Sequence, residues 1–433
     1  MLCIYCTTQH IVCQEGRKKI MRTILHSDLN NFYASVECMM NPELKKYPVA
    51  VCGRVEERHG IVLAKNYAAK AFGVKTGETI FQAKCKCPDL VTVDPHYNEY
   101  MKYSRLVRAI YCDYSDQVEA YGMDENWLDV TGSRMVFGDG EKIANEIRER
   151  VKFELGLTVS VGVSFNKIFA KLGSDMKKPD AVTVISRDNF KEKVWGLPAD
   201  DMLGVGRSAI RELHRYGVNT IGDLAHCPDE MLSYKFGING LRMKQFANGE
   251  DNSAVVHRDF EFPIKSIGRG TTFTSDLTCN SEVWCMILTL ADEVASRLRA
   301  AKKKAHGVSL TVKCNDLAWK EWQCGTEHPT QNAYELACRA FELFTKNYPW
   351  VKPIRAMTVR AIRLDDEDIC EQLTIFRDAG RIAKVEAKDR AVDEIRRRFG
   401  RSAITSASTM KLEKFPGGAE FELTMPTGLL TLA

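Results

Sequence analysis

Three acidic residues stand where a chain could gather them around hard cations. Asp28 ends the apolar run RTILHSDL, and Asp124 and Glu125 are adjacent between the runs QVEAYG and NWLDVTG. Neighbouring side chains on a flat strand point to opposite faces, so two adjacent carboxylates converge only where the backbone turns. The flanking runs predict a hairpin with that turn at Met123-Asp124-Glu125. Magnesium takes oxygen ligands in octahedral geometry and keeps several waters or phosphate oxygens, so a few carboxylates facing an open space suffice. Two such ions stabilise the attacking and leaving oxygens of an in-line phosphoryl transfer. The plainer reading is that Asp28 caps the helix entering at Asn31 or Phe32 and that the other two are turn residues. Taken alone, the residue types favour that reading.

A second group, Cys3, Cys6, His10 and Cys13, consists of zinc-ligand types. Its gaps are shorter than common finger spacings and no apolar pattern surrounds it, so residues 1–20 read as an extension upstream of a start at Met21. They also lack the continuous apolar core of a secretory signal. The chain's 15 cysteines are otherwise scattered without framework spacing, as expected of reduced thiols in a cytoplasmic protein.

The elements that must carry the acidic residues follow from hydrophobic period. RTILHSDL reads as a buried strand, and FYASVECMM places Phe32, Val36 and Met39 or Met40 at helical spacing. Strands PVAVCG and GIVLAKN follow, then a helix from Tyr67 stopped by Gly73. Helix MKYSRLVRAIYCDY precedes the hairpin, and helix GEKIANEIRERVKFELG and strand LTVSVGVS complete an α+β sheet domain. From about 188 to 250 short helices alternate with glycine turns. Strands GRGTTFTS, GVSLTVKC and IRAMTVRAIRL then return around amphipathic helices at 281–304 and 331–346, a second α+β domain. The remainder holds LDDEDICE, QLTIF and a helix with Val385, Val392, Ile395 and Phe399 on one face, closed by Gly400.

Composition bounds the rest. A chain of 433 residues exceeds one ordinary core, and 45% hydrophobic with 27% charged residues is the balance of a globular protein. No apolar run reaches spanning length, so no membrane helix is expected. A net charge of +4 is too small to argue for nucleic acid; only the placement of charge can.

The segments HSDLNNFYASVE and MDENWLDVT resemble the two acidic motifs of the Y-family DNA polymerases, the group that includes bacterial DNA polymerase IV and UmuC. The resemblance continues through NYAAKAFGVKTGE, VGVSFNKIFAKLGSDMKKPD, LGVGRSAIRELHRYGV and KSIGRGTTF in family order, over about residues 21–400. KTGE and the long C-terminal tail are closer to the UmuC-like branch of Gram-positive bacteria. The resemblance implies an α+β right-hand polymerase: palm 21–39 and 99–186, fingers 40–98, a helical thumb with a helix-hairpin-helix at 187–253, an α+β little finger at 262–364, and a clamp-binding and helical tail at 365–433.

It further implies a low-fidelity, translesion, template-directed polymerase without proofreading exonuclease, using two Mg2+ ions, with Mn2+ able to substitute. Asp28, Asp124 and the main-chain carbonyl of Leu29 would be metal ligands, with Glu125 the acidic residue near the primer 3′-hydroxyl and counted with the metal set. Tyr33 matches the steric gate, whose ring against C2′ leaves no room for a ribonucleotide hydroxyl; Phe32 beside it shares the sugar site with a core role. Tyr67, Lys70 and Lys178 match triphosphate contacts. Lys70 stands where an arginine is usual, Ala64 where a threonine is usual, Asn30 replaces the second acidic residue of the first motif, and Gly122 replaces a serine.

For the duplex, Gly204 and Gly206 form the Gly-x-Gly turn of LGVGRSAIREL, where glycines and a helix start accept a phosphate. Lys265, Ser266, Gly268 and Arg269, with the basic run Arg297, Arg299, Lys302, Lys303 and Lys304, match the little-finger region that holds DNA; a solvated helix end is the alternative for that run. Gln372, Leu373 and Phe376 match the sliding-clamp-binding pentapeptide, whose tether would supply processivity. The expected partners are primer-template DNA, deoxynucleoside triphosphates and the bacterial clamp, for a cytoplasmic monomer with no membrane contact and a place in SOS mutagenesis. The rivals are a non-catalytic DNA- and clamp-binding scaffold of the same family and a nucleotidyl cyclase on a similar sheet. Three intact carboxylates oppose the first, and a thumb and clamp peptide oppose the second.

Overall fold

The computed structural model describes residues 21–54, 58, 60–368, 379–400, 403–409 and 414. The cysteine and histidine group at 3–13 and the pentapeptide Gln372–Phe376 lie outside the described residues. In chain order the strands are β1 (Ile24–Leu29), β2 (Val49–Cys52), β3 (Val62–Lys65), β4 (Val91–Val93), β5 (Val118–Ala120), β6 (Glu125–Asp129), β7 (Val159–Ser164), β8 (Val182–Ile185), β9 (Ser266–Leu277), β10 (Lys303–Cys314), β11 (Trp319–Thr330) and β12 (Ile354–Asp366). They form sheets ordered β5-β6-β1-β7-β8, β3-β2-β4 and β11-β10-β12-β9. This is the mixed α+β architecture expected from the sequence.

The described chain divides into two compact units, one of the chain up to Pro42 with His96–Phe260, the other of Glu43–Pro95 with the chain from Glu261 on. In the first, β1 is the middle strand and pairs antiparallel with β6 and β7; all six of its residues are buried. Its period-2 alternation sends Leu25 and Leu29 into a core with Val107, Tyr111, Ile143 and Ile147, from helices Tyr97–Cys112 and Gly140–Leu155. Ile24, by contrast, packs with Ala170 of helix Lys167–Met176. His26 and Asp28 alternate with Ile24 and point to that same side.

Gly162 explains how closely this helix approaches the sheet. A Cβ at Gly162 would lie 1.9 Å from the carbonyl oxygen of Ala170 and 2.6 Å from the amide nitrogen of Ser174. Glycine is therefore required by close approach, and the helix settles directly over His26, which is in register with Gly162.

The helical stretch after β8 is built as expected, with Gly204 at φ +95° and Gly206 capping helix Arg207–Arg215. In the second unit, β9, β10, β11 and β12 are all antiparallel, and helices Asn280–Ala300 and Ala333–Asn347 share a core with them. The sequence reading differs in places. The helix expected at 281–304 stops at Ala300; Lys302 turns at φ +51°, and Lys303 and Lys304 begin β10 instead. Helix Ile80–Lys86 and strands β4, β8 and β11 had not been anticipated.

Candidate active site

Asp28 lies at the end of β1, opposite Glu125 on β6 and Ser160 on β7. Asp124 is the last residue before β6, and its carbonyl accepts a hydrogen bond from the amide of Leu29 at 3.0 Å. The hairpin predicted at Met123-Asp124-Glu125 is present, so all three acidic residues reach one end of the sheet. Gly122 crowds this turn least: a Cβ there would come within 3.1 Å of an Asp124 carboxylate oxygen.

Burial, reinforced by Glu125 and Asp124 and opposed by Lys178, pushes Asp28 up to about 7. Burial and then Glu125 push Asp124 up to about 6. Burial would raise Glu125 too, but the basic side chains beside it, with the Lys171 ammonium nearest, outweigh it and hold Glu125 down to about 2. Two ammonium groups meet the acids: Lys178 Nζ lies 2.9 Å from Asp28 Oδ2 and 2.9 Å from Asp175 Oδ1, and Lys171 Nζ lies 2.5 Å from Glu125 Oε2.

The donor chemistry fits a hard divalent cation: oxygen ligands only, partly desolvated, each raising the cost of ionising its neighbour. Among the described residues no three acidic, histidine or cysteine side chains are arranged as a finished cage.

Tyr33 opens helix Phe32–Met40 directly after β1. Its ring stacks on Tyr100 at 4.2 Å with planes 8° apart, and Tyr97 meets it edge-on at 6.0 Å. Burial raises its phenol well above the usual value, and the charge of Asp124 adds to the shift. Phe32 is buried in the core, the packing role foreseen for it.

Asn30, which departs from the family motif, has a definite task. Its amide nitrogen donates to Ser160 Oγ at 2.9 Å, and its oxygen accepts from the amide of Asp180 at 2.9 Å. Asp180 is also held by Lys152 Nζ at 2.8 Å. Asn30 therefore pins the turn that carries Lys178 to Asp28.

Tyr67 and Lys70 belong to the other unit, in helix Tyr67–Ala71, with Lys70 Nζ 5.7 Å from the Tyr67 ring centre. Asn66 caps that helix by accepting from Ala69 N at 2.9 Å. Lys65, which follows Ala64, is held below its usual pKa by burial and then by Lys70, and donates to Thr76 Oγ1 at 3.0 Å. Lys265 precedes β9, and Ser266, Gly268 and Arg269 lie on it, at the edge of its sheet. Arg269 pairs with Glu293 at 2.8 Å, Arg297 donates to the Gly268 carbonyl at 3.1 Å, and Arg299 is engaged by Asp393 at 2.5 Å. The expected run of free basic side chains is thus largely committed to partners within its own unit.

Lys171, His26 and Ser174 were missed by sequence reasoning. Lys171 sits within helix Lys167–Met176 and Lys178 lies beyond its end, so their spacing carried no signal that both would meet the acids.

Residues 27–175 match the impB/mucB/samB family, and residues 264–375 match its C-terminal domain. A DNA polymerase IV of Acetivibrio thermocellus is 53% identical over 379 residues, covering 88% of this chain and 95% of that protein. The chain belongs to the Y-family DNA polymerases. As a member of the Y family it is a DNA-directed DNA polymerase. A DNA polymerase IV of Pelotomaculum thermopropionicum is 37% identical over 387 residues, with 89% and 95% covered. A solved Y-family DNA polymerase chimera superposes with a TM-score of 0.70 at 22% identity, covering 79% of this chain and 98% of that one, a likeness of fold.

Proposed function

We propose that this Y-family polymerase extends primers across damaged template positions by a two-metal mechanism at Asp28, Asp124 and Glu125, without proofreading. The observation that carries the reading is the in-register pair Asp28 and Glu125, with Asp124 at the adjoining turn and two of the three carboxylates raised by burial. Asp28, Asp124 and the carbonyl of Leu29 would hold Mg2+, or Mn2+ in its place, with Glu125 completing the set. Such ions neutralise charge on the attacking and leaving oxygens. The protein's own groups do the rest. Lys178, released from Asp28, would meet a triphosphate, and Tyr67 and Lys70 are suited to phosphate by residue type. Tyr33 excludes a 2′-hydroxyl by occupying its space, with Phe32 packed behind it.

The duplex would be gripped without sequence reading. Gly204 and Gly206 leave a helix start open to phosphate, and a Cβ at either would meet nothing within 4 Å. An edge strand presents one row of N–H groups outward, which suits the stretch from Lys265 to Arg269. Gln372, Leu373 and Phe376 would bind the sliding clamp. The setting is a cytoplasmic monomer acting in the SOS response; no helix among the described residues is long and apolar enough to cross a membrane.

Primer extension on an abasic template tests the reading. Asp28→Ala and Glu125→Ala should each lower the rate at least about a hundredfold while primer-template binding persists. Near-normal extension by Glu125→Ala would sink it.

A further inference from the structure

Among the described residues, the partners of the Glu125 carboxylate reach the same oxygen. Lys171 Nζ lies 2.5 Å from Oε2, and His26 Nε2 lies 3.5 Å from Oε2. The His26 approach is a contact and no hydrogen bond, since Nε2 is buried without a hydrogen-bond partner. The ammonium therefore does the holding.

The holding group is itself fixed. Lys171 Nζ lies 5.2 Å from the ring centre of Tyr121, so the ammonium has an aromatic face on one side and a carboxylate on another. Its main-chain carbonyl accepts from Ser174 Oγ at 2.7 Å, and the same Oγ lies 2.9 Å from His26 Nδ1. Because the serine hydrogen goes to the carbonyl, Nδ1 must donate to Oγ, which fixes the imidazole ring. Glu125, Lys171, Ser174 and His26 thus form a chain of contacts joining strand β6, helix Lys167–Met176 and strand β1. Gly162 makes the chain possible by letting that helix lie against the sheet.

A surface ion pair would not constrain a carboxylate in this way. The side chains of Lys171 and Glu125 are only 15% and 21% exposed, so solvent screening is weak and misplacement leaves a desolvated charge unpaired.

We propose that Lys171 is a positioning residue for Glu125: it anchors Oε2 from the helix side and leaves Oε1 as the oxygen that faces the reaction. The proposal rests on the reading of Glu125 as the acidic residue beside the primer hydroxyl. Lys171 does not touch substrate on this account; it sets the rotation of a group that does. Ser174 holds the backbone of Lys171 and the ring of His26 together, so it belongs to the same device.

Single-turnover insertion of one nucleotide tests this, with Lys171→Met, Lys171→Arg, Ser174→Ala and the Met/Ala double variant beside Glu125→Ala. Lys171→Met should lower the maximal rate about 10- to 100-fold, the usual effect of losing a group that orients a ligand, with nucleotide KM and primer-template Kd within about threefold. Lys171→Arg should recover most of the rate. Ser174→Ala should lose about three- to tenfold, and the double variant should fall no further than Lys171→Met alone, because the two changes disable one chain of contacts. Mn2+ binding to the free protein, followed by electron paramagnetic resonance, should be no weaker in Lys171→Met than in the parent, since removing a cation beside carboxylates does not disfavour a metal. A Lys171→Met rate within threefold of the parent, with Glu125→Ala inactive, overturns the proposal alone; an active Glu125→Ala overturns the reading beneath it. Weakened Mn2+ binding in parallel with the rate would mean a collapsed site and also overturns it. If Lys171→Met fails to fold, Ser174→Ala decides, and an unchanged rate there refutes the proposal.

Discussion

Asp28 and Glu125 face each other across the β1–β6 ladder, yet they are held in opposite electrostatic states. Burial pushes Asp28 up to about 7, whereas the helix side, with the Lys171 ammonium nearest, keeps Glu125 down to about 2 against its own burial. The site therefore contains one acid that resists ionisation and one that is ionised throughout the physiological range.

A pH dependence follows for the metal-free protein. Asp28 and Asp124, at about 7 and about 6 against ordinary values of 3.8, bind more protons folded than unfolded, so stability falls as pH rises from about 4 to about 7. Glu125 has the opposite sign; its contribution is present above 4.5 and is lost only as pH falls toward about 2. Asp28→Asn should accordingly stabilise the protein in EDTA at pH 8 by about 1–3 kcal/mol, the loss of the Lys178 pair taking back part of the gain. At about pH 3.5, below the ordinary aspartate value, the difference should nearly vanish. Denaturant melts at the two pH values measure it, and an equal effect at both would contradict the assigned direction.

Asn30→Ala should release the turn at Asp180 and let Lys178 wander. The expected result is a nucleotide KM raised about tenfold with primer-template affinity unchanged, because the lost contact orients a phosphate partner and touches no duplex. Asn30→Asp can still accept from the Asp180 amide, and its second oxygen can accept from the Ser160 hydroxyl once that group turns to donate, so it should stay within about threefold of the parent. Steady-state kinetics distinguish the two; equal damage from both variants would remove Asn30 from the account.

Tyr33→Ala should admit ribonucleotides. An imposed clash can be worth several kcal/mol while one missing hydrogen bond is worth about one, so sugar discrimination should drop by orders of magnitude. Competition between a ribonucleotide and its deoxy counterpart reads this directly, and an unchanged ratio would place the gate elsewhere.

Alanine at both Leu373 and Phe376 should abolish stimulation by the clamp while insertion on a bare primer stays intact. Binding energy in such peptides concentrates in a few apolar anchors. A joint loss of melting temperature and bare-primer activity would instead mark these residues as packing groups.

The sequence shows the acidic end of the sheet because its signals are local: an apolar run ending in Asp28, and two runs flanking Asp124 and Glu125. It hides β11 because that strand, WKEWQCGTEHPT, is exposed along one face and shows little apolar alternation. It hides the Ala300 boundary because Lys302, Lys303 and Lys304 continue the charge pattern of the helix without a glycine or proline to stop it. Lys171, Ser174 and His26 stayed invisible for another reason. Their meeting depends on a helix lying against a strand, and only Gly162 hinted at such contact. The tasks assigned to Tyr67, Lys70 and the pentapeptide remain readings of residue type.

The central place of β1 bears on how the protein is made. Its six residues leave the ribosome early, but its partners begin only at Glu125 and Val159, roughly 5–30 s later at ordinary rates of translation. Through that interval an apolar strand waits with both hydrogen-bonding edges unpaired, a template for association between nascent chains. Shielding during those seconds falls to factors that grip apolar segments at the exit tunnel. Substitutions that weaken β7 should therefore lower the yield of folded protein before they lower the activity of the molecules that do fold.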